Sequence, residues 1–201
     1  MADSRGAFVR KRSRKAPAAQ DQRTQRTRRA LLGAFNALFF ERSYDRITVG
    51  AIVRHAGVGR STFYEHYVDK EDLLSASIRA PLAGLAASVD RGNDAGGARR
   101  AISHFWQNRT QARFLFAGGA RAPITRVLAS MIAERLDARA AGANRRSTQL
   151  AAVAIAESHV GTVAAWLRGE IEASANDVAD ALHAISRVGV QVASIRHRTA
   201  E

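Results

Sequence analysis

Cysteine is absent from this 201-residue chain. Disulfide staples, thiolate metal sites and cysteine nucleophiles are therefore excluded, and the composition fits a reducing compartment. Proline occurs three times, at Pro17, Pro81 and Pro123, which leaves long stretches free to form uninterrupted helix. No apolar run approaches the roughly 20 residues of a membrane span. The basic N-terminus is not followed by the apolar segment of a secretory signal. We therefore expect a cytoplasmic protein with no membrane partner. Walker and dinucleotide glycine patterns and the nucleophile elbow are missing too. The six histidines are His55, His66, His104, His159, His183 and His197. No pair has the spacing of a helical zinc site, so neither a metal, a cofactor nor an enzymatic activity is expected.

Positive charge is what the chain has in excess. The net charge is +13, from 31 Lys and Arg against 18 Asp and Glu. It is concentrated at the start: ten Lys and Arg against Asp3 and Asp21 give +8 over residues 1–29. Such an arm usually meets a polyanion, although a solvated tail without a partner carries the same charge. Residues 1–22 have no helical periodicity and read as a basic disordered tail.

Beyond the tail the pattern is all-α. Leu31, Leu32, Phe35, Leu38 and Phe39 form one apolar face of a first helix over about 24–41. Thr48 can cap a second helix, whose inward side is Val49, Ile52 and Val53. Gly57 follows where a left-handed residue is expected, and a third short helix spans Arg60 to Tyr67. Asp69 and Asp72 make a carboxylate capping box for a fourth helix, whose stripe from Leu74 to Val89 contains Pro81, a place to kink or interrupt. Arg91 to Gly97 reads as a loop. Further helices carry Phe105 and Trp106, then Phe114 and Phe116, then Met131 behind Pro123 at a first helical position. Two long helices, about 146–168 and 175–196, end the chain.

Residues 47–67 meet the demands of a bihelical DNA reader. Gly57-Val58-Gly59 allows a tight crossing, and Phe63 and Tyr67, four apart, anchor the second helix. At ~100° per residue the opposite face holds Ser61, Thr62 and Glu65, with Tyr64 at its edge and Arg60 and His66 on the flanks. Lys70, at the start of the fourth helix, is placed to hold a backbone phosphate together with free amides. Thr48 completes the candidate DNA-contacting set.

The string from Ile47 to Leu74 resembles the DNA-binding domain of the TetR family. The Ala-Gly-Val turn at 56–58, the Thr-Phe-Tyr-x-His run at 62–66 and the Asp-Lys-Glu segment at 69–71 occur together, in order and correctly spaced, and the likeness covers about residues 24–74. It implies an all-α homodimer: a three-helix, helix-turn-helix reading domain, here 23–70, and a helical effector-binding and dimerisation domain, here 71–201. Gly59 stands where a Ser-like cap is common, Gly50 offers no basic side chain, and Glu65 puts negative charge on the reading face.

The resemblance also implies that the last two helices form the dimer seam. Candidates there are Val153, Val160, Ala164, Leu167, Val178, Leu182, Ile185 and Gly189. Phe105, Trp106, Phe114, Phe116, Met131 and His159 are candidates to line an effector cavity, with ordinary core as the plain alternative for each. The expected function is a nucleoid-associated bacterial repressor, released from a palindromic operator by a small molecule. A ligand-independent or nonspecific DNA binder, an activator, and an all-α enzyme or carrier remain as rivals.

Overall fold

A computed structural model describes residues 17–90, 92, 95–116, 118–139 and 144–193. Tail residues 1–16 and the last positions assigned to the final helix, 194–196, lie outside the described residues. Among those described there are nine α-helices and no strand. They are α1 (Pro17–Glu41), α2 (Val49–Ala56), α3 (Arg60–Tyr64), α4 (Lys70–Ala86), α5 (Gly96–Gln107), α6 (Arg109–Phe116), α7 (Arg121–Arg139), α8 (Arg145–Arg168) and α9 (Ala175–Ala193).

The boundaries depart from the periodicity in places. α1 starts at Pro17 rather than near residue 24, so residues 17–22 are helix, not tail. Proline suits a first helical position because its missing N–H has no intrahelical partner there. α3 ends at Tyr64 rather than Tyr67, with a turn in which the Tyr67 amide still donates to the Phe63 carbonyl at 2.9 Å. Pro81 lies inside α4 without interrupting it. Pro123 is the third residue of α7, not the first, still among the amides that lack an intrahelical acceptor.

α1, α2 and α3 pack as a head around Phe35, Leu38, Ile52 and Phe63. α4 leaves this head and crosses into a body in which it packs on α5 and α7, while α8 lies between α7 and α9. By length and composition α8 is apolar enough to cross a membrane, but its inward residues Ile155, Val160, Val163 and Leu167 are buried in the body core. The α4–α5 crossing is set by glycine. A Cβ at Gly84 would overlap the backbone carbonyl of Gly97, so the two helices approach closer there than any side chain permits.

Most of the expected dimer-seam residues lie inside one protomer. Val160, Ala164, Leu167, Val178 and Leu182 are buried in the core of a single chain. Gly189 faces Ile155 of the same chain, and a Cβ there would overlap the isoleucine side chain. The small residues serve close packing of α8 on α9. Val153 is exposed and Ile185 half-buried, so these two remain on the outside.

His159, expected beside a cavity, is a core residue. Its Nε2 lies 3.0 Å from Ser186 Oγ and 3.1 Å from the Leu182 carbonyl oxygen. Ser186 Oγ lies 2.7 Å from Ser88 Oγ, and Ser88 Oγ donates to the Leu85 carbonyl. The chain of groups joins α8 and α9 to the turn that ends α4. The ring's Nδ1 makes no hydrogen bond among the described residues, and burial pushes the imidazole pKa from 6.5 down to about 4.

Two outcomes are expected. Gly84→Ala should destabilise the body by about 1–3 kcal/mol through backbone overpacking, read as a lower midpoint in urea. His159 should also make the protein acid-labile. An unfolded imidazole takes up a proton below pH 6.5 that the folded one refuses until about pH 4. Stability is therefore lost as pH falls through that window, on the order of 3 kcal/mol in full. Thermal melts of His159→Gln should show a shallower decline between those pH values than the parent protein.

Candidate DNA interface

The turn between α2 and α3 is built by three local devices. Thr48 Oγ1 accepts from the Ala51 amide at 3.2 Å and starts α2. Gly57 adopts φ 66°, ψ 31°, a left-handed conformation that costs other residues free energy. The Gly57 amide donates to the Arg54 carbonyl and the Val58 amide to the Val53 carbonyl at 3.1 Å, closing a Schellman motif. Gly59 starts α3 without a side-chain cap at φ −76°.

α3 is anchored from beneath. Phe63 is fully buried and packs on Tyr67 with ring centroids 5.9 Å apart. Burial raises the Tyr67 phenol pKa, and the guanidinium of Arg28 opposes the shift. That interaction places Arg28, on α1, close to the end of the reading segment. The outward side of α3 carries Arg60, Ser61, Tyr64 and Glu65, all exposed, with Thr62 and His66 half-buried. Tyr64 is 54% exposed, its ring edge-on to Phe63 at 5.3 Å. Six of the eight expected contact residues are thus exposed or half-buried on α3 and the turn that follows it, with Thr48 exposed at the start of α2.

Lys70 does not fit its expected part. Its ammonium donates to the carbonyls of Tyr44 (3.0 Å) and Ile47 (3.1 Å) and sits 4.2 Å above the Tyr44 ring. The α1–α2 connection thus engages the charge, so the group is a staple rather than a free phosphate ligand. Burial, then the carboxylates of Glu71 and Asp69, push the Tyr44 phenol up to about 12, so the ring under the cation stays neutral. The cap of α4 matches the sequence reading at Asp69, whose Oδ1 accepts from the Glu71 and Asp72 amides, both at 2.8 Å. Asp72 Oδ2, by contrast, accepts from the Val68 amide and not from the Asp69 amide of a capping box.

Sequence reasoning passed over Arg28 and Arg54. Arg54 is exposed on α2. Arg28 belongs to the exposed arginines Arg23, Arg26, Arg28 and Arg29 of α1. The available signal is the density of arginine at residues 23–29, which the sequence shows as charge but not as a surface beside the reading segment.

The expected cavity residues do not converge. Phe116 and Met131 are core. Trp106 stacks on Trp166 at 4.6 Å instead of facing a cavity, and Trp166 donates to the Ala173 carbonyl. Phe114 borders a cavity of about 160 Å³ with Tyr44, Asp45 and Gly119. Phe105 alone of the six lines a larger cleft between head and body.

Removing the staple should destabilise the head. Lys70→Ala leaves the Tyr44 and Ile47 carbonyls without their charged donor and is expected to cost about 1–3 kcal/mol. Thr62→Ala, on the outer face, should change stability by no more than about 0.5 kcal/mol. Urea titration of the two variants separates them.

Comparison with known proteins agrees with this geometry. The profile described as "Bacterial regulatory proteins, tetR family" matches residues 31–77, the segment from α1 into α4. The HTH-type transcriptional regulator YxbF of Bacillus subtilis (strain 168) is 42% identical over 66 residues. That stretch is 32% of this chain and 17% of YxbF. A TetR-family regulator of Streptomyces coelicolor A3 has the same fold, with a TM-score of 0.56 at 22% identity over 83% of this chain and 96% of that one. A TetR regulator of Streptococcus agalactiae 2603V gives a TM-score of 0.52 at 23% identity, over 84% and 97%. Residues 31–77 are thus similar to the tetR family of bacterial regulatory proteins, and the described residues share the fold of solved TetR regulators.

Proposed function

We propose that the protein is a dimeric repressor that reads a palindromic operator in the bacterial nucleoid and leaves it when a small-molecule effector binds the body. The carrying observation is the outer face of α3. Its polar side chains point to solvent on a helix fixed by the Gly57 turn and the buried Phe63. Ser61, Thr62 and Glu65 are assigned to base edges, where Glu65 suits a cytosine amino group. Arg60, Tyr64 and His66 are assigned to phosphates, with Arg28 and Arg54 added. The reading domain is then 23–70 with the first turns of α1 attached, and the effector and dimerisation domain is 71–201.

The dimer seam is reassigned to the outer faces of α8 and α9. Leu150, Val153 and Val188 are large apolar side chains left exposed, at 63%, 52% and 62%. Ala154, Ala181 and Ala184 are exposed beside them, and Ile185 is half-buried. A two-fold pairing of these faces would cover the apolar surface and set two α3 helices side by side, which gives the operator its symmetry.

DNA selected from a random pool should converge on a palindrome. Thr62→Ala should relax preference at one position of each half-site by about 1–3 kcal/mol. A Val153→Asp/Val188→Asp double variant should sediment as a folded monomer and hold the operator at least about 2 kcal/mol more weakly, because unpaired carboxylates cannot be buried in the seam. Recovery of unrelated sequences with no symmetry would defeat the reading and leave a nonspecific basic DNA binder.

A further inference from the structure

A cleft of about 350 Å³ opens where α1 of the head meets α4, α5 and α6 of the body. Its floor is apolar, with Phe35, Leu74, Ile78 and Phe105 all buried. Its rim is polar: Asn36, Ser77, His104, Asn108 and Gln111. Among the described residues no Lys, Arg, Asp or Glu lines it, although 24% of the chain is charged. Phe40 stands at the mouth, 53% exposed, an aromatic ring left in water beside an apolar floor.

The rim has hydrogen-bonding capacity to spare. Asn36 Oδ1 accepts from Ser77 Oγ at 2.7 Å, and its Nδ2 makes no bond among the described residues. Gln111 makes none there either. Asn108 Nδ2 donates to the His104 carbonyl at 2.9 Å, which leaves its Oδ1 to accept.

We propose that this cleft binds a neutral, ring-bearing organic compound with a hydrogen-bonding group at one edge, and that the guest bears directly on the reading head. The volume is at the small end of the ~300–1,000 Å³ typical of ligand sites. An aromatic floor offers edge-on and offset ring contacts. A charged guest would be desolvated without a counter-charge, which is costly. The same argument disfavours the chain's own basic segment as occupant, since no carboxylate here meets its cations.

The cleft's walls belong to both halves of the molecule. The Ser77–Asn36 hydrogen bond ties α4 to α1 inside the cleft. Pro81, also in its wall, leaves the Ser77 carbonyl without the usual helical donor. A guest that accepts from Asn36 Nδ2 sits beside that tie and bears on α1 and α6 together. The link to DNA rests on the effector-release reading above, whereas binding to the cleft does not.

Phenylnaphthylamine, a neutral two-ring amine whose emission rises in apolar surroundings, is the probe. It is expected to saturate at one site per chain. Its affinity should fall about tenfold or more in Gln111→Trp and in His104→Trp, two exposed rim positions where the fold should be retained, as checked by circular dichroism. Its sulfonated analogue, anilinonaphthalene sulfonate, should not compete for the site. Absence of saturable binding, an affinity lowered in neither variant, or equal competition by the sulfonate would overturn the proposal. Selected operator DNA should weaken probe binding by the factor by which the probe weakens operator binding. If the cleft variants behave as expected but DNA leaves probe affinity unchanged, the cleft stands and effector release fails. If the probe does not bind a protein that still selects a palindrome, the cleft fails and the DNA reading stands.

Discussion

The ammonium of Lys70 holds two carbonyls of the segment between α1 and α2 while its backbone begins α4. One residue thus fixes the reading head to the helix that enters the body. Almost everything about the head's placement depends on this joint. Asp69 caps the helix at the same point, and Arg126 of α7 forms a bidentate pair with Glu71 one residue on. The exposed Glu71–Arg126 pair contributes little to stability by itself, but it lies where the first turn of α4 passes from head to body. The Asp45 carboxylate packs against Gly119, where a Cβ would overlap it, and adds a second bearing surface between the halves.

Within this frame the division of the reading helix follows from simple geometry. A five-residue α3 can bury only one side chain deeply, and Phe63 is that residue. The rest must face outward or along the flanks. A side chain exposed on so short a helix has few internal partners available, which is why Ser61 and Tyr64 are presented to whatever lies beyond the surface.

The head was legible in the sequence because its determinants are local. Thr48, Gly57 and Asp69 act through backbone groups two to four residues away, so spacing alone reveals them. Lys70 was misread because its partners, Tyr44 and Ile47, lie 26 and 23 residues back, and only the folded chain brings them near. The body was less legible for a related reason. Small and apolar residues on α8 and α9 have the same periodicity whether they face a sister helix or a second protomer. Val160, Ala164 and Leu167 face the former, and no sequence pattern distinguishes the two. Composition groups the aromatic residues of α5 and α6 around one cavity, yet Trp106 and Phe105, adjacent in sequence, point to different neighbours.

The contact of Gly84 with Gly97 has a mechanical meaning. Backbone pressed on backbone cannot slide without losing van der Waals contact along both chains, so α4 is clamped at that point. The helix between the clamp and Lys70 is about 21 Å long at ~1.5 Å rise per residue. Were α4 to pivot at Gly84, the head would lie at the far end of that arm. A rotation of about 5° at that pivot displaces the far end by about 2 Å over such an arm. Shifts too small to disturb the body core are therefore large on the scale of a hydrogen bond to a base edge.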